Sequence, residues 1–131
     1  MERIAAFVLE RPASLAEAVA LLAATPGARP LAGGTDLLPN LRDGIGESPV
    51  LVDLGGIGGF SALTVERDGT TIGAGMTLAR IASDATIAGA LPALAEAAAA
   101  VAGPGHRTVA TLGGNLCLDT RCVFYNQSEW W

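Results

Sequence analysis

Two glycine pairs with polar neighbours are the residues of this chain best suited to chemistry. The first is Ala32-Gly33-Gly34-Thr35-Asp36, and the second is Thr111-Leu112-Gly113-Gly114-Asn115. A glycine pair lets the backbone take positive φ and lets a ligand come close where a Cβ would stand in the way. Successive N–H groups in such a turn form an anion nest, and a helix that follows adds the positive end of its dipole. Thr35 supplies a hydroxyl donor. Asp36 repels a phosphate unless it caps the helix or accepts from a sugar hydroxyl. An ordinary strand–helix turn with a Thr/Asp cap has the same sequence, so the first motif alone leaves both readings open. The second motif repeats the hydroxyl, the Gly pair and a short amide side chain. Two such turns can form the lips of one pyrophosphate-binding cleft without any cation, although two unrelated turns fit the pattern equally well. No G-x-G-x-x-G occurs, so a Rossmann fingerprint is excluded.

Other reactive side chains are few. His106 is the sole histidine and has no His, Cys or carboxylate close to it in sequence, which leaves a catalytic triad or His-rich metal site unsupported. Its expected role is hydrogen bonding within the loop that presents the second turn. Arg107 is either a phosphate contact or a surface arginine. Cys117 and Cys122 are two thiols, half of what a zinc or iron–sulfur site needs. Cys117, among apolar neighbours, reads as a small buried thiol. Cys122, between Arg121 and aromatic residues, reads on its own as a free thiol.

Composition narrows the classes further. The 131 residues suit one domain, and the apolar half of them is rich in alanine. All eight cations are arginine, and the net charge of −5 argues against a nucleic-acid or anionic-membrane surface. Without lysine there is neither a Walker-A loop nor a Schiff-base nucleophile. No apolar run approaches the ~20 residues of a membrane span, and no signal peptide is evident. Two cysteines make no secreted disulfide framework, so a reducing, cytoplasmic setting is expected.

The elements that must position the two turns can be read from the same sequence. Residues 4–9 read as a strand. Ser14-Leu15-Ala16-Glu17 is a capping box for a helix with Leu15, Val19 and Leu22 along one face, stopped at Thr25-Pro26-Gly27. A strand over 29–32 delivers the first glycine turn, a short helix covers 37–43, and a third strand covers 50–54. Gly55-Gly56-Ile57-Gly58-Gly59 reads as a hinge. Segments 62–66 and 70–74 form a hairpin around Arg67-Asp68-Gly69. Thr77 caps a helix over 78–83, and Pro92 opens an alanine-rich helix to Ala102, ended by Gly103-Pro104-Gly105. The order is an α/β or α+β pattern with a glycine turn at a strand's carboxyl end. Four of six aromatics, Phe124, Tyr125, Trp130 and Trp131, fall in the last eight residues. Large rings belong in cores or interfaces, so a cut through a longer protein is expected.

Ala32 to Asp36 with Thr111 to Asn115 resembles the FAD-binding subunit of molybdenum hydroxylases, which include carbon monoxide and xanthine dehydrogenases. Phe7 to Pro12 with Ser14-Leu15, and Thr71-Ile72-Gly73-Ala74-Gly75, fit the same pattern. The resemblance implies an α+β, vanillyl-alcohol-oxidase-like FAD-binding domain of two α/β subdomains, residues 1–55 and 56–131, the second incomplete. Arg29, Pro30, Leu31, Ala32, Gly33, Gly34, Thr35 and Asp36 would wrap the FAD pyrophosphate. Thr111, Gly113, Gly114 and Asn115 would close the other side, with Val101 an apolar contact and no catalytic acid or base. The run from Asn115 to Cys122, continuing through the aromatic tail, is similar to the flavin subunit of 4-hydroxybenzoyl-CoA reductase. That subgroup would make Cys122 the first of four ligands to a loop [4Fe-4S] cluster. It implies a molybdopterin-binding large subunit, a [2Fe-2S] small subunit and a ferredoxin-like donor. The reaction would dehydroxylate 4-hydroxybenzoyl-CoA to benzoyl-CoA. A flavin subunit of the aldehyde, xanthine or carbon monoxide type is the alternative, and a flavin-free interaction fragment is another.

Overall fold

The structure is a computed structural model and describes residues 5–118. Its first half is a parallel sheet of β1 (Val8–Glu10), β2 (Arg29–Leu31) and β3 (Val50–Asp53), in the order β1-β3-β2. Val8 stands opposite Val50, and Arg29 opposite Leu51. Parallel neighbours need crossovers, which α1 (Leu15–Ala24) and α2 (Leu37–Arg42) supply. Successive strand residues point to opposite faces, yet Leu51 and Val52 are both fully buried, so each face of the central strand is covered. The first strand starts later than its apolar run implies. β3 offers partners only from Val50 on, with the Val8 N–H donating to the Pro49 carbonyl at 2.9 Å.

The capping box at α1 forms as the sequence requires. Ser14 Oγ accepts from the Glu17 N–H at 3.2 Å, and Glu17 Oε2 accepts from the Ala13 N–H at 2.8 Å. The apolar stripe is not the expected one. Ala18 is the buried residue of the helix, with Leu21 and Leu22 packed on the same cluster, while Leu15 and Val19 are 52% and 64% exposed. Glu17 is the helix's one polar residue, so hydrophobicity around its circumference barely distinguishes a direction. The small Ala18 decides it by bringing the helix onto Val52.

The second half begins with the antiparallel hairpin β4 (Leu63–Glu66) and β5 (Gly69–Ile72). Glu66 pairs with Gly69, so Arg67-Asp68 is a two-residue loop. Five short helices follow: α3 (Leu78–Ser83), α4 (Ala85–Ala90), α5 (Pro92–Ala100), α6 (Pro104–Arg107) and α7 (Leu112–Leu116). Thr77 caps α3, as expected. Asp84 ends α3 and starts α4, its Oδ1 accepting from Thr86 and Ile87 N–H at 2.9 and 3.1 Å. α5 stops at Ala100 rather than Ala102, where the chain turns extended at Val101 and takes φ +44° at Ala102.

Two hydrophobic clusters organise the two halves. One holds Ala18, Val52 and Ile57; the other holds Met76, Leu78, Ile81, Ile87, Ala95 and Ala98. Ile57 lies in the middle of the double glycine linker, so that segment is anchored by a buried side chain. Among the described residues no helix is long and apolar enough to cross a membrane. Leu51→Ala is expected to lower unfolding free energy by about 2–5 kcal/mol. Val19→Gln should change it by no more than about 0.5 kcal/mol, because the residue faces solvent. Urea unfolding of both variants checks which face of α1 is the inner one.

Candidate functional site

A cleft of about 350 Å³ lies between the two halves. Ala32 and Gly33, just past the end of β2, form one wall. Thr108, Val109 and Thr111 form the opposite wall, with Thr77 and Gly75 beside them. Leu54, Ile57 and Phe60 of the linker give the cleft an apolar floor, and Gly55 and Ser61 complete it. None of these lining residues is charged.

The first wall is a tight strand–helix turn. Gly34 has φ +70°, and its carbonyl accepts from the Leu38 N–H at 3.2 Å as the chain enters α2. A Cβ on Gly34 would also stand 2.9 Å from Leu38 Cδ1, so an L side chain there is both strained and crowded. The N–H groups of Gly33, Gly34 and Thr35 donate to no other group among the described residues. Asp36 does not cap α2 with its side chain. Its Oδ2 instead accepts from Asn40 Nδ2 at 3.1 Å, which turns one carboxylate oxygen along the helix.

The second wall is held by a short backbone ladder. Leu78 N–H donates to the Ala110 carbonyl at 2.9 Å, and Leu112 N–H donates to the Met76 carbonyl at 2.8 Å. Thr77 and Thr111 therefore face each other as an isolated antiparallel bridge. Each is also a helix N-cap: Thr77 Oγ1 accepts from Arg80 N–H at 3.3 Å, and Thr111 Oγ1 from Gly114 N–H at 3.1 Å. A hydroxyl that accepts a cap bond keeps its own hydrogen for donation.

The second glycine pair is thus no copy of the first. It lies inside α7, with the Gly113 N–H donating to the Ala74 carbonyl at 2.7 Å and the Gly114 N–H committed to the cap. Gly113, Gly114 and exposed Asn115 do not line the cleft; Thr111 does. Arg29, Pro30 and Leu31 build β2 instead of lining the cleft, and Val101 packs on the second hydrophobic cluster. Arg107, left between a phosphate contact and a surface arginine, is tied to its own loop. Its guanidinium donates to the Val101 and Ala102 carbonyls at 2.8 and 2.7 Å. His106 holds the loop through its carbonyl, which accepts from Ala110 at 2.8 Å and Val109 at 3.2 Å. Cys117 was expected to be buried, but α7 ends there at the surface and its thiol is exposed. Cys122 lies outside the described residues. Among the described residues no group of three or more His, Cys, Asp or Glu could hold a metal.

Sequence reasoning missed Ile57, Phe60, Thr77 and Thr108 as lining residues. The signals were present for two of them: Thr77 was visible as a cap, and Ile57 as the lone large side chain among four glycines.

Residues 5–123 match the family described as FAD binding domain in molybdopterin dehydrogenase. The xanthine dehydrogenase FAD-binding subunit of Escherichia coli O157:H7 is 41% identical over 108 residues, covering 82% of this chain and 37% of that protein. The carbon monoxide dehydrogenase medium chain of Afipia carboxidovorans is 37% identical over 110 residues, covering 83% and 38%. Quinoline 2-oxidoreductase from Pseudomonas putida 86 superposes with a TM-score of 0.84 at 36% identity, covering 87% of this chain and 40% of that one. The chain therefore spans about two fifths of the length of these relatives.

Thr111→Val is expected to cost about 1 kcal/mol through the lost cap of α7, while Thr111→Ser retains most of it. The urea midpoints of the two variants measure that difference.

Proposed function

The chain belongs to the family of FAD-binding domains of molybdopterin dehydrogenases, and from that premise we propose that its cleft holds the pyrophosphate-containing middle of FAD within a molybdenum hydroxylase flavin subunit. Three consecutive N–H groups, Gly33 to Thr35, that bond to nothing else in the described chain carry this reading. Such a run is an anion nest; its first residue, Gly33, lines a cleft that contains no carboxylate, while Gly34 and Thr35 follow it outside the lining. Thr77, Thr108 and Thr111 line the cleft opposite Gly33, the Thr108 hydroxyl already donating to the Gly105 carbonyl at 2.7 Å, and the apolar floor suits the uncharged part of the ligand.

FAD, when bound, supplies the electron-carrying chemistry; the chain positions it. Gly33, Gly34 and Thr35 donate N–H to phosphate oxygens. Thr77 and Thr111 donate hydroxyls while their oxygens stay fixed as caps. Leu54, Ile57 and Phe60 exclude water from one side. Gly113, Gly114 and Asn115 act through the frame that places Thr111, and Arg29 to Leu31 through the strand that delivers the nest. The division into subdomains 1–55 and 56–131 remains part of this proposal, with Ile57 and Phe60 from the start of the second segment packed on the first cluster.

Relatives named FAD-binding subunit and medium chain belong to the xanthine and carbon monoxide dehydrogenases, and another is the aldehyde oxidoreductase FAD-binding subunit PaoB of Escherichia coli. By that likeness the whole protein is an oxidoreductase subunit, working beside a molybdopterin-binding large subunit and a [2Fe-2S] small subunit. Substrates of the xanthine, carbon monoxide or aldehyde type fit these relatives best. A finer reading, a 4-hydroxybenzoyl-CoA reductase fed by a ferredoxin-like donor, is favoured by Cys122 in the run after Asn115. In that reading the full-length protein holds a [4Fe-4S] cluster. Iron and sulfide analysis of the full-length chain, with and without Cys122→Ser, tests it: cluster iron lost in the variant supports the reductase, and a cluster-free wild type leaves the hydroxylase type.

A cleft without cations makes a distinctive prediction about salt. Between ionic strengths of about 0.1 and 1 M, where the Debye length falls from roughly 10 to 3 Å, FAD affinity should stay within about twofold or rise slightly. The rise follows if the net charge of −5 on these 131 residues dominates around the cleft, since it repels an anion until salt screens it. Flavin fluorescence titration of the full-length chain reads the result. A tenfold or larger fall would point to lysine- or arginine-type phosphate contacts, and no binding at any salt would remove the proposal.

A further inference from the structure

Gly33 lies in the nest, yet the group pressed against its Cα is protein. A Cβ built there would fall on the Val109 carbonyl, 2.9 Å from the Ala110 backbone nitrogen. These atoms belong to the opposite wall of the cleft, so neither neighbour is the far end of a flexible side chain that could swing aside. Gly34, by contrast, meets only Leu38 and Leu31 of its own half.

From this geometry we infer that Gly33 is a positioning residue, which locks the first wall of the cleft onto the 108–111 segment before any ligand arrives. The missing Cβ lets two backbones touch, and that contact sets the separation between the amide nest and the Thr108 and Thr111 hydroxyls. The far side of the segment has its own fastening. Arg107 donates to the Val101 and Ala102 carbonyls at 2.8 and 2.7 Å, while the Ala110 carbonyl and Leu112 N–H are bonded to Leu78 and Met76. The 108–111 wall is therefore clamped between Gly33 on one side, Arg107 at its base and the 76–78 strand behind. Arg107 acts on the cleft through that segment, since it does not line the cleft itself and its Nη1 is held by the two carbonyls.

Two readings of Gly33 make different predictions for flavin-free protein. A glycine kept for ligand approach leaves the free protein unchanged when it becomes alanine. A glycine kept for wall-to-wall contact does not. Hydrogen exchange of the full-length chain without flavin separates them. Gly33→Ala should speed exchange at the Ala110, Leu112 and Gly113 amides by about tenfold or more, the scale of an overpacked backbone contact. Amides of β3 and α5 should keep their wild-type rates. Arg107→Ala should loosen the same three amides from the other side, with Arg107→Lys restoring part of the protection. Both alanine variants should weaken FAD binding by a similar factor, a readout that rests on the flavin proposal above.

Unchanged exchange in Gly33→Ala, with flavin binding lost, would overturn the inference and return Gly33 to ligand contact. Should Gly33→Ala fail to fold, Arg107→Ala decides: faster local exchange supports the clamp, and wild-type exchange overturns it. If the wild-type protein binds no flavin, the functional proposal fails while the exchange comparison still decides this one.

Discussion

An anion can be held without a cation only where backbone N–H groups are left without protein partners, and most of a fold forbids that. A donor stranded away from water costs about 1–3 kcal/mol, so helices and sheets use up nearly all of them. Gly33, Gly34 and Thr35 escape the rule because they follow the last paired residue of β2 and precede the first bonded turn of α2. The chain there must reverse from strand to helix within a few residues, which the positive φ of Gly34 permits. Much of the architecture serves to hold that short interval open: a parallel sheet aims it, and a second wall keeps it from collapsing.

The second wall works by economy of groups. Thr77 and Thr111 each cap a helix, form one antiparallel bridge and line the cleft. These three duties are compatible because a threonine oxygen can accept while its hydrogen donates. The bridge connects the caps to the Met76 to Ala98 cluster, so the hydroxyls stand on packed helices and not on a free loop. The linker contributes through Ile57, buried in the first cluster and also part of the cleft floor. A glycine-rich connection that reads as a pure hinge is thereby tied to the surface it crosses.

Local chemistry was legible in the sequence wherever one residue type has a single good explanation. The Ser14 capping box, the Thr77 cap, the stop at Thr25-Pro26-Gly27 and the Arg67-Asp68 loop all follow from hydrogen bonds within a few residues. What depended on packing was not legible. The inner face of α1 is chosen by Ala18, in a helix whose other residues are almost all apolar. α4 and α6 have six and four residues, too short for periodicity to mark. The likeness between the two glycine pairs was misleading for the same reason. Gly33-Gly34 is a turn, whereas Gly113-Gly114 is in a helix because Thr111 caps it and the Ala74 carbonyl takes the Gly113 N–H. Ala74 is 39 residues away from that glycine in sequence, and no local pattern announces it.

The most direct test of the account is an amide chemical-shift map of the full-length, isotope-labelled chain as FAD is added. The account predicts that the largest downfield proton shifts fall on Gly33, Gly34 and Thr35, with smaller changes at Thr77, Thr108 and Thr111. Arg29 and the solvent face of α1 should stay still. Shifts that gather instead on Gly113, Gly114 and Asn115, with the Gly33 to Thr35 amides unmoved, would contradict a cleft built on the first glycine turn.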